Sequence, residues 1–463
     1  MSIAGTAVKI GRGADPETAE PLLPVDIPHA FASRFGVTLT GENDGRLLVS
    51  LAAGFDPRAL LKVRRYLSCP LDVTLDDGEE ALAAGLLDFI IADAAHQGVS
   101  YIHIEPSDSG VAIRMRLNGG LRETLRMPVD TAPTLVNRIK VMAKLDLAER
   151  LLPQQGRIAL PLGGMLRDLC VSTLPGRLGE RIVLRILDKG EVGGDLHVPG
   201  MPAAVNMLYR AALAERRGLV ILAGPKKSGK TTSAYAGLRQ LNADSRVILT
   251  AEDPIDELIK GIHQVEVGAR LTFPDGLRAI LRQDPDVVMA GEIRDSETAE
   301  IAVQASATGQ LVLATIHAED AVGAITRLRD FRIEPFLLAS TLRTVIAQRV
   351  ARRLCAACRT PIQTSAAESA LLGFDTGTTI YQARGCHQCG NSGYKGRIGV
   401  FEAIGVDETI RRLINNGGDE AVIAGHVFRQ SQNIGSAARS LVLEGVTTAE
   451  EAIRISRRES EDD

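Results

Sequence analysis

The sequence predicts an α/β protein whose principal domain is a mostly parallel sheet with helices on both faces. Three observations lead to this class. Apolar strand patterns, "RGLVILAG", "SRVILTAEDP", "PDVVMAGE" and "QLVLATIH", alternate with helical stretches such as "KTTSAYAGLRQLN" and "SETAEIAVQASAT", the mark of parallel strands joined by crossover helices. A glycine-bearing loop joins the first of these strands to the first helix. Acidic or histidine-containing clusters follow the other three strands, at the sheet edge where ligands bind in such folds.

At 463 residues the chain exceeds what one core holds, so about two to four domains are expected. Residues 1–26 are rich in Gly, Pro and Glu without periodicity and read as a flexible arm. Residues 27–78 alternate short helical and strand patterns, enough for a small module. In residues 79–190 the helical "EEALAAGLLDFIIADAAHQGV" precedes the strands "YIHIEP", "VAIRMRL", "RIALPL" and "RIVLRIL", which predicts an α+β domain. Glycines and prolines in 191–204 make a linker, and the nucleotide-type domain follows over 205–354. A cysteine-bearing subdomain at 355–396, a C-terminal helical part at 397–456 and a disordered tail at 457–463 complete the chain.

Composition narrows the function. Lys and Arg total 53 against 57 Asp and Glu, a net charge of −4, and aromatics are 3%. A nucleic-acid helicase is therefore disfavoured, because neither a general positive field nor an aromatic-lined basic groove is visible. No run approaches the ~18 apolar residues needed to span a bilayer, and the first residues lack the apolar core of a signal peptide. The expected compartment is the cytosol.

The loop "GPKKSGKTT" comprises Gly224, Pro225, Lys226, Lys227, Ser228, Gly229, Lys230, Thr231 and Thr232 and fits the phosphate-loop pattern G-x-x-x-x-G-K-[ST]. Small residues let successive backbone N–H groups converge on phosphate oxygens at a helix N-terminus. Lys230 is placed to reach the outer phosphates and Thr231 to ligate magnesium. Two lysines fill the middle of the loop. If position 227 requires a positive φ, a lysine there costs about 1 kcal/mol that a glycine does not.

"PDVVMAGEIRD" places Glu292 at a strand end, where a carboxylate meets magnesium or the attacking water. "TAEDPIDE" ends another strand in Glu252, Asp253, Asp256 and Glu257, and "QLVLATIHAED" presents His317 as a γ-phosphate sensor or as a structural histidine. Arg278 and Arg282 lie four residues apart on one helical face. They either form surface salt bridges or act as arginine fingers toward a neighbouring subunit.

Cys355 and Cys358 in "CAAC" pair with Cys386 and Cys389 in "CHQC". Four thiolates in two C-x-x-C knuckles suit tetrahedral structural zinc, with disulfides or free thiols as the alternatives. Cys69 and Cys170 stand alone and read as space-filling.

Taken together, "TAEDPIDE", "TFPDGLRAILRQDPDVVMAGEIRDSETAEIAVQASATG", "VGAITRLRDFRIEPFLLASTLRTVIAQRVARRLC" and the cysteine pairs resemble the ATPases of type II secretion and type IV pilus assembly. Within that superfamily, "LLPQQGRIAL" and "VSTLPGRLGERIVLRILDK" are most similar to the type II secretion ATPases. The resemblance implies a RecA-like motor, a PAS-like second domain, ATP bound between them and a ring hexamer. By the family's motifs Glu252 belongs to an aspartate box, Glu292 to the Walker B element and His317 to a histidine box. Arg278 and Arg282 match intersubunit arginines, and Arg114 and Arg116 match arginines offered to the nucleotide. The small first module would dock on the cytoplasmic part of an inner-membrane platform protein, making membrane contact indirect. Lys226 and Lys227 stand where the family usually has Thr-Gly, Gln310 where a histidine is usual, Tyr101 and Asn118 in place of aspartates, and Cys170 in place of an arginine.

The expected function is a hexameric ATPase that drives pseudopilus assembly and protein export. A pilus-assembly motor and a nucleotide-binding scaffold with little hydrolysis are the alternatives.

Overall fold

Period-two burial sets the first unit, and near-continuous apolar strands set the second. The computed structural model describes residues 35–456, apart from 44, 53–54, 68–69, 76–78, 118–119, 163–164, 188–197, 269 and 430. The predicted arm at 1–26, Cys69, Asn118, the first half of the linker (191–197) and the tail at 457–463 lie outside the described residues. The chain divides into two compact units, residues 1–189 and 190–463.

In the first unit the elements run β1 (Val37–Asn43), β2 (Arg46–Leu51), α1 (Pro57–Leu67), β3 (Leu71–Leu75), α2 (Glu79–Gln97), β4 (Tyr101–Ser107), β5 (Gly110–Leu117), β6 (Gly120–Met127), α3 (Thr131–Met142), β7 (Gln154–Leu162), β8 (Met165–Leu174) and β9 (Arg181–Leu187). Along β4, Ile102 and Ile104 are buried while Tyr101, His103 and Glu105 alternate onto the other face. Leu86, Phe89 and Ile90 of α2 share a core with Ile102, Ile104, Ile113 and Met115.

The sequence reading separates residues 27–78 from 79–190, yet one sheet crosses that boundary in the order β1-β2-β3-β6-β5-β4-β9-β8-β7. The join is a short parallel pairing, Leu71 opposite Leu125 and Asp72 opposite Arg126. Leu47, Val49 and Leu71 pack into the same core as Leu125. A module of that size buries little apolar surface alone, and adding its strands to the larger sheet covers it.

The second unit contains α4 (Ala203–Ala214), β10 (Gly218–Ala223), α5 (Lys230–Leu241), β11 (Ile248–Glu252), β12 (His263–Glu266), α6 (Phe273–Leu281), β13 (Val287–Ile293), α7 (Ser296–Thr308), β14 (Leu311–Ile316), α8 (Ala321–Asp330), α9 (Pro335–Thr341) and β15 (Leu342–Leu354). After these come β16 (Thr360–Gln363), α10 (Ala366–Leu372), β17 (Thr379–Gln382), β18 (Tyr394–Gly405), α11 (Glu408–Asn415), α12 (Glu420–Val427), α13 (Ile434–Leu443) and α14 (Ala449–Ser456). The sheet order is β12-β11-β13-β14-β10-β15-β18. All neighbours are parallel except β15 with β18. Every residue of β10 and β14 is buried, as expected of strands covered by helices on both faces. One face packs α6 to α9 and the other α4 and α5.

Residues 397–456, the C-terminal helical part of the sequence reading, carry helices from Glu408 onward but do not open on one. They begin within β18, a long strand that pairs with β15 from Thr344 opposite Gly405 to Leu354 opposite Tyr394. Within "RIGVFEAIG" the residues Val400 to Ile404 form one unbroken buried run, and its partners lie 45 to 61 residues upstream, beyond the reach of a local pattern. The four paired cysteines, β16, α10 and β17 all fall between these two strands.

Candidate nucleotide site

The phosphate loop leaves β10 after Ala223 and enters α5 at Lys230. Gly224 has φ +150°, and a Cβ there would sit 2.4 Å from Ser228 Oγ and 2.5 Å from Gln348 O, so only glycine fits. Gly229 caps α5 at φ +91°. The first N–H groups of α5 have no intrahelical acceptors and face the loop. Lys227 adopts φ +66°, the left-handed region in which a lysine is costly, and its side chain, like that of Lys226, is exposed. Ser228 is buried, and its Oγ has no hydrogen-bond partner among the described residues. A left-handed loop at a helix N-terminus with an orphaned hydroxyl fits a phosphate.

Lys230 Nζ donates to Gly224 O at 2.6 Å and Pro225 O at 2.8 Å. Burial lowers its pKa to about 8; Glu292 opposes that shift and Arg349 adds to it. Thr231 is half-buried and Thr232 exposed in the first turn of the helix.

A residue absent from the motif reading holds the loop's underside. Gln348 of β15, 2% exposed, donates from Nε2 to Ser228 O at 2.9 Å and accepts from Ser233 Oγ at 2.7 Å. It thereby ties both ends of the loop-to-helix junction to the neighbouring strand. The signal available in the sequence is a glutamine set directly after the apolar "VIA" of a strand pattern, since a buried amide persists only where its hydrogen bonds are met.

Glu292 lies at a bulge. The pairing of β13 with β14 shifts register between Ala290 and Ile293, which re-aims the side chains at the strand end. Thr315 Oγ1 bonds Gly291 O at 2.6 Å. A side chain at Gly291 would lie 2.8 Å from Ala251 O, so glycine permits β11 to approach. The Glu292 carboxylate, 24% exposed, accepts from Arg294 Nε at 2.6 Å. Arg294 also reaches Asp253 at 3.4 Å.

His317 follows β14. Its pKa is held below the ordinary histidine value by burial first, then by Lys230 and Arg327, with Glu292 and Glu319 opposing. These influences together favour the uncharged ring. Lys230, Glu292 and His317 act on one another electrostatically at the C-terminal edge of β10, β13 and β14, the edge the sequence predicts.

Glu252 lies beside Gly291, next to Glu292, but its carboxylate is engaged by other side chains. It is 2% exposed, and its carboxylate accepts from Tyr235 Oη, from Thr250 Oγ1 at 2.5 Å and from Gln264 Nε2 at 3.0 Å. The sequence places it as a strand-end acid facing ligand. The fold instead engages it in a buried network that fixes α5 against β11 and β12.

Arg278 Nη2 meets Glu297 Oε1 at 2.6 Å across α6 and α7, both side chains being about half exposed. Within one chain this is a surface pair, of small energetic consequence. Arg282 is exposed just beyond α6. Arg114 and Arg116 belong to β5 of the first unit, where Arg114 bonds Glu105 at 3.1 Å.

The sulfur atoms of Cys355, Cys358, Cys386 and Cys389 all lie within 4.8 Å of one another. Cys389 Sγ accepts N–H groups from Cys386 at 3.2 Å and Gly393 at 3.3 Å. Burial raises the pKa of this thiol, but those N–H donors together with the Cys386 and Cys358 thiols draw it down, while the pKa of Cys358 is raised by burial and the surrounding thiols. Four sulfurs with N–H donors favouring a thiolate form a donor set for a soft or borderline cation.

Residues 76–454 match the type II/IV secretion system protein family, and residues 26–80 match an N-terminal domain of GSPII protein E. The chain belongs to the type II/IV secretion system protein family. Type II secretion system protein E of Pseudomonas aeruginosa is 47% identical over 389 residues, 83% of this chain and 78% of the relative. Type II secretion system ATPase E of Vibrio cholerae is 44% identical over 389 residues, covering 83% and 77%. A solved structure of the pilus retraction motor PilT with bound ADP superposes with a TM-score of 0.57 at 25% identity, covering 80% of this chain and 96% of that one. The chain is a secretion ATPase of the protein E branch. Among the described residues no helix is long and apolar enough to cross a membrane.

Proposed function

We propose that this ATPase hydrolyses magnesium-ATP at the Gly224–Thr232 loop and works as a ring hexamer to drive pseudopilus assembly and protein export. The observation that carries the reading is the convergence of Lys230, Glu292 and His317 at one sheet edge beside the loop. Backbone N–H groups of the loop bind the phosphates, and the Lys230 ammonium neutralises their outer charge. Thr231 and Glu292 are the proposed magnesium ligands, and the ion bound there would screen charge on the transferring phosphoryl group. Glu292 also orients the attacking water, with Arg294 fixing its carboxylate. The His317 ring, whose uncharged form is favoured by burial, offers a hydrogen bond to the outer phosphate. Glu252 acts as a positioning group through Tyr235.

Zinc is assigned to the four cysteines on their chemistry, in a closed structural site. Arg278 and Arg282 are proposed to leave their surface position for a neighbouring subunit's phosphates, and residues 27–78 to dock on an inner-membrane platform protein. Alanine at Arg114 or Arg116 tests the nucleotide role that the resemblance gives those arginines.

The test is steady-state magnesium-ATP turnover by the full chain, with oligomeric state recorded at the same concentrations. Lys230→Ala and Glu292→Ala are expected to abolish turnover. Activity that survives both sinks the site assignment. One observation favours the scaffold reading, namely the φ of +66° at Lys227. ATP binding with turnover equal to the two variants would support it.

A further inference from the structure

Behind the nucleotide edge lies a buried carboxylate that no motif marks. Glu402 of β18 is 1% exposed and stands opposite Ala347 of β15. Its Oε1 accepts the N–H of Ala321 at 2.6 Å, and its Oε2 accepts the N–H of Ile434 at 2.7 Å. Ala321 is the first residue of α8 and Ile434 the first of α13. Each helix already has its own cap, Asp320 bonding Gly323 N and Asn433 bonding Ser436 N. Glu402 therefore takes a second orphan donor from each, and both positive helix ends converge on one anion. Burial pushes its carboxyl up to about 7, against the pull of the two N–H donors and of Arg349.

The loop between His317 and α8 is held from a second side. Arg349 of β15, 8% exposed, donates from Nη2 to Glu319 O at 2.8 Å and to the Glu319 carboxylate. The same guanidinium acts electrostatically on Lys230 and on Glu402. Meanwhile α13 and α14 share a core with Leu372 and Ile380, which lie between the two cysteine pairs.

We propose that Glu402 is a positioning residue for the hydrolytic site, tying the His317–Asp320 loop to α13 so that movement of the C-terminal helices and of that loop is coupled. This inference rests on the hydrolysis reading for its effect on rate. Its structural half, the joint between two helices, stands independently.

Glu402→Gln tests it. Glutamine keeps the volume but offers one acceptor to two N–H donors, so it cannot hold both helices. Hydrogen–deuterium exchange on the full chain is expected to show residues 321–324 and 434–437 losing protection together, with 219–223 unchanged. In turnover assays kcat is expected to fall about tenfold, the rate equivalent of one charge-assisted hydrogen bond, with KM for ATP within about twofold. The double variant His317→Ala/Glu402→Gln is expected to be no slower than His317→Ala, because both losses act through one group. Loss of protection at one helix only, or at neither, overturns the joint. Losses that multiply in the double variant, or a rise in KM matching the fall in kcat, overturn the positioning role. If the unaltered chain shows no Lys230-dependent turnover, the hydrolysis reading fails while the exchange pattern still decides the joint.

Discussion

Replacing Gln348 by leucine removes both bonds that tie the phosphate loop to β15, and the cost can be worked from the burial of what is left behind. Ser228 is 3% exposed and Ser233 fully buried, so neither stranded partner finds water. An unsatisfied buried group costs about 1–3 kcal/mol, which gives about 2–6 kcal/mol for the two. Leucine returns part of that through apolar burial, leaving a net destabilisation of about 2–4 kcal/mol. At roughly 2–4 °C per kcal/mol for a domain of this size, the thermal midpoint of the second unit falls by about 4–16 °C. Gln348→Glu separates stability from binding. It keeps the acceptor for Ser233 but sets a carboxylate against Ser228 O beside the phosphates, so ATP affinity drops further than stability does. Differential scanning calorimetry and nucleotide titration read the two effects. A midpoint shift under about 2 °C in Gln348→Leu, with unchanged ATP affinity, would refute the clamp.

At position 227, glycine relieves about 1–2 kcal/mol of left-handed strain but adds about 0.4–1 kcal/mol of unfolded-state entropy. Lys227→Gly should therefore raise the thermal midpoint by a few degrees at most and leave turnover equal or higher, and a clear drop in turnover would mean the lysine itself is used. Lys230 is lowered to about 8 from an ordinary value of 10.5. The cost of holding its charge is thus present below pH 8 and relieved as pH rises toward 10.5, so folding stability gains with pH in that window. ATP affinity moves the opposite way, falling as pH rises through about 8, and isothermal titration at pH 7 and pH 9 should show this in the unaltered chain but not in Lys230→Ala. For the cysteines, metal analysis is expected to find one zinc per chain, lost in Cys389→Ser together with a lower thermal midpoint. A metal-free chain with unchanged stability would remove zinc from the account.

The sequence by itself determined the chemistry-bearing parts, because these depend on short-range spacing. The phosphate loop sits between a buried strand and a helix, and Glu292 and His317 each follow a strand, all legible within about ten residues; each C-x-x-C pair is equally local, while the fold brings the two pairs together across 27 intervening residues. What only the tertiary structure decided are the partners those residues keep. Gln348 reaches Ser228 across 120 positions of chain and Glu402 reaches Ala321 across 81. Glu252 reads as a strand-end acid until Tyr235 and Gln264 close around it, and Arg294 shares the carboxylate of Glu292. β18 also escapes the sequence reading, since a strand is defined by the neighbour it bonds. Local pattern encodes which group a loop or strand end presents; burial and the pairing of distant strands decide whether that group faces a ligand, a helix end or another side chain.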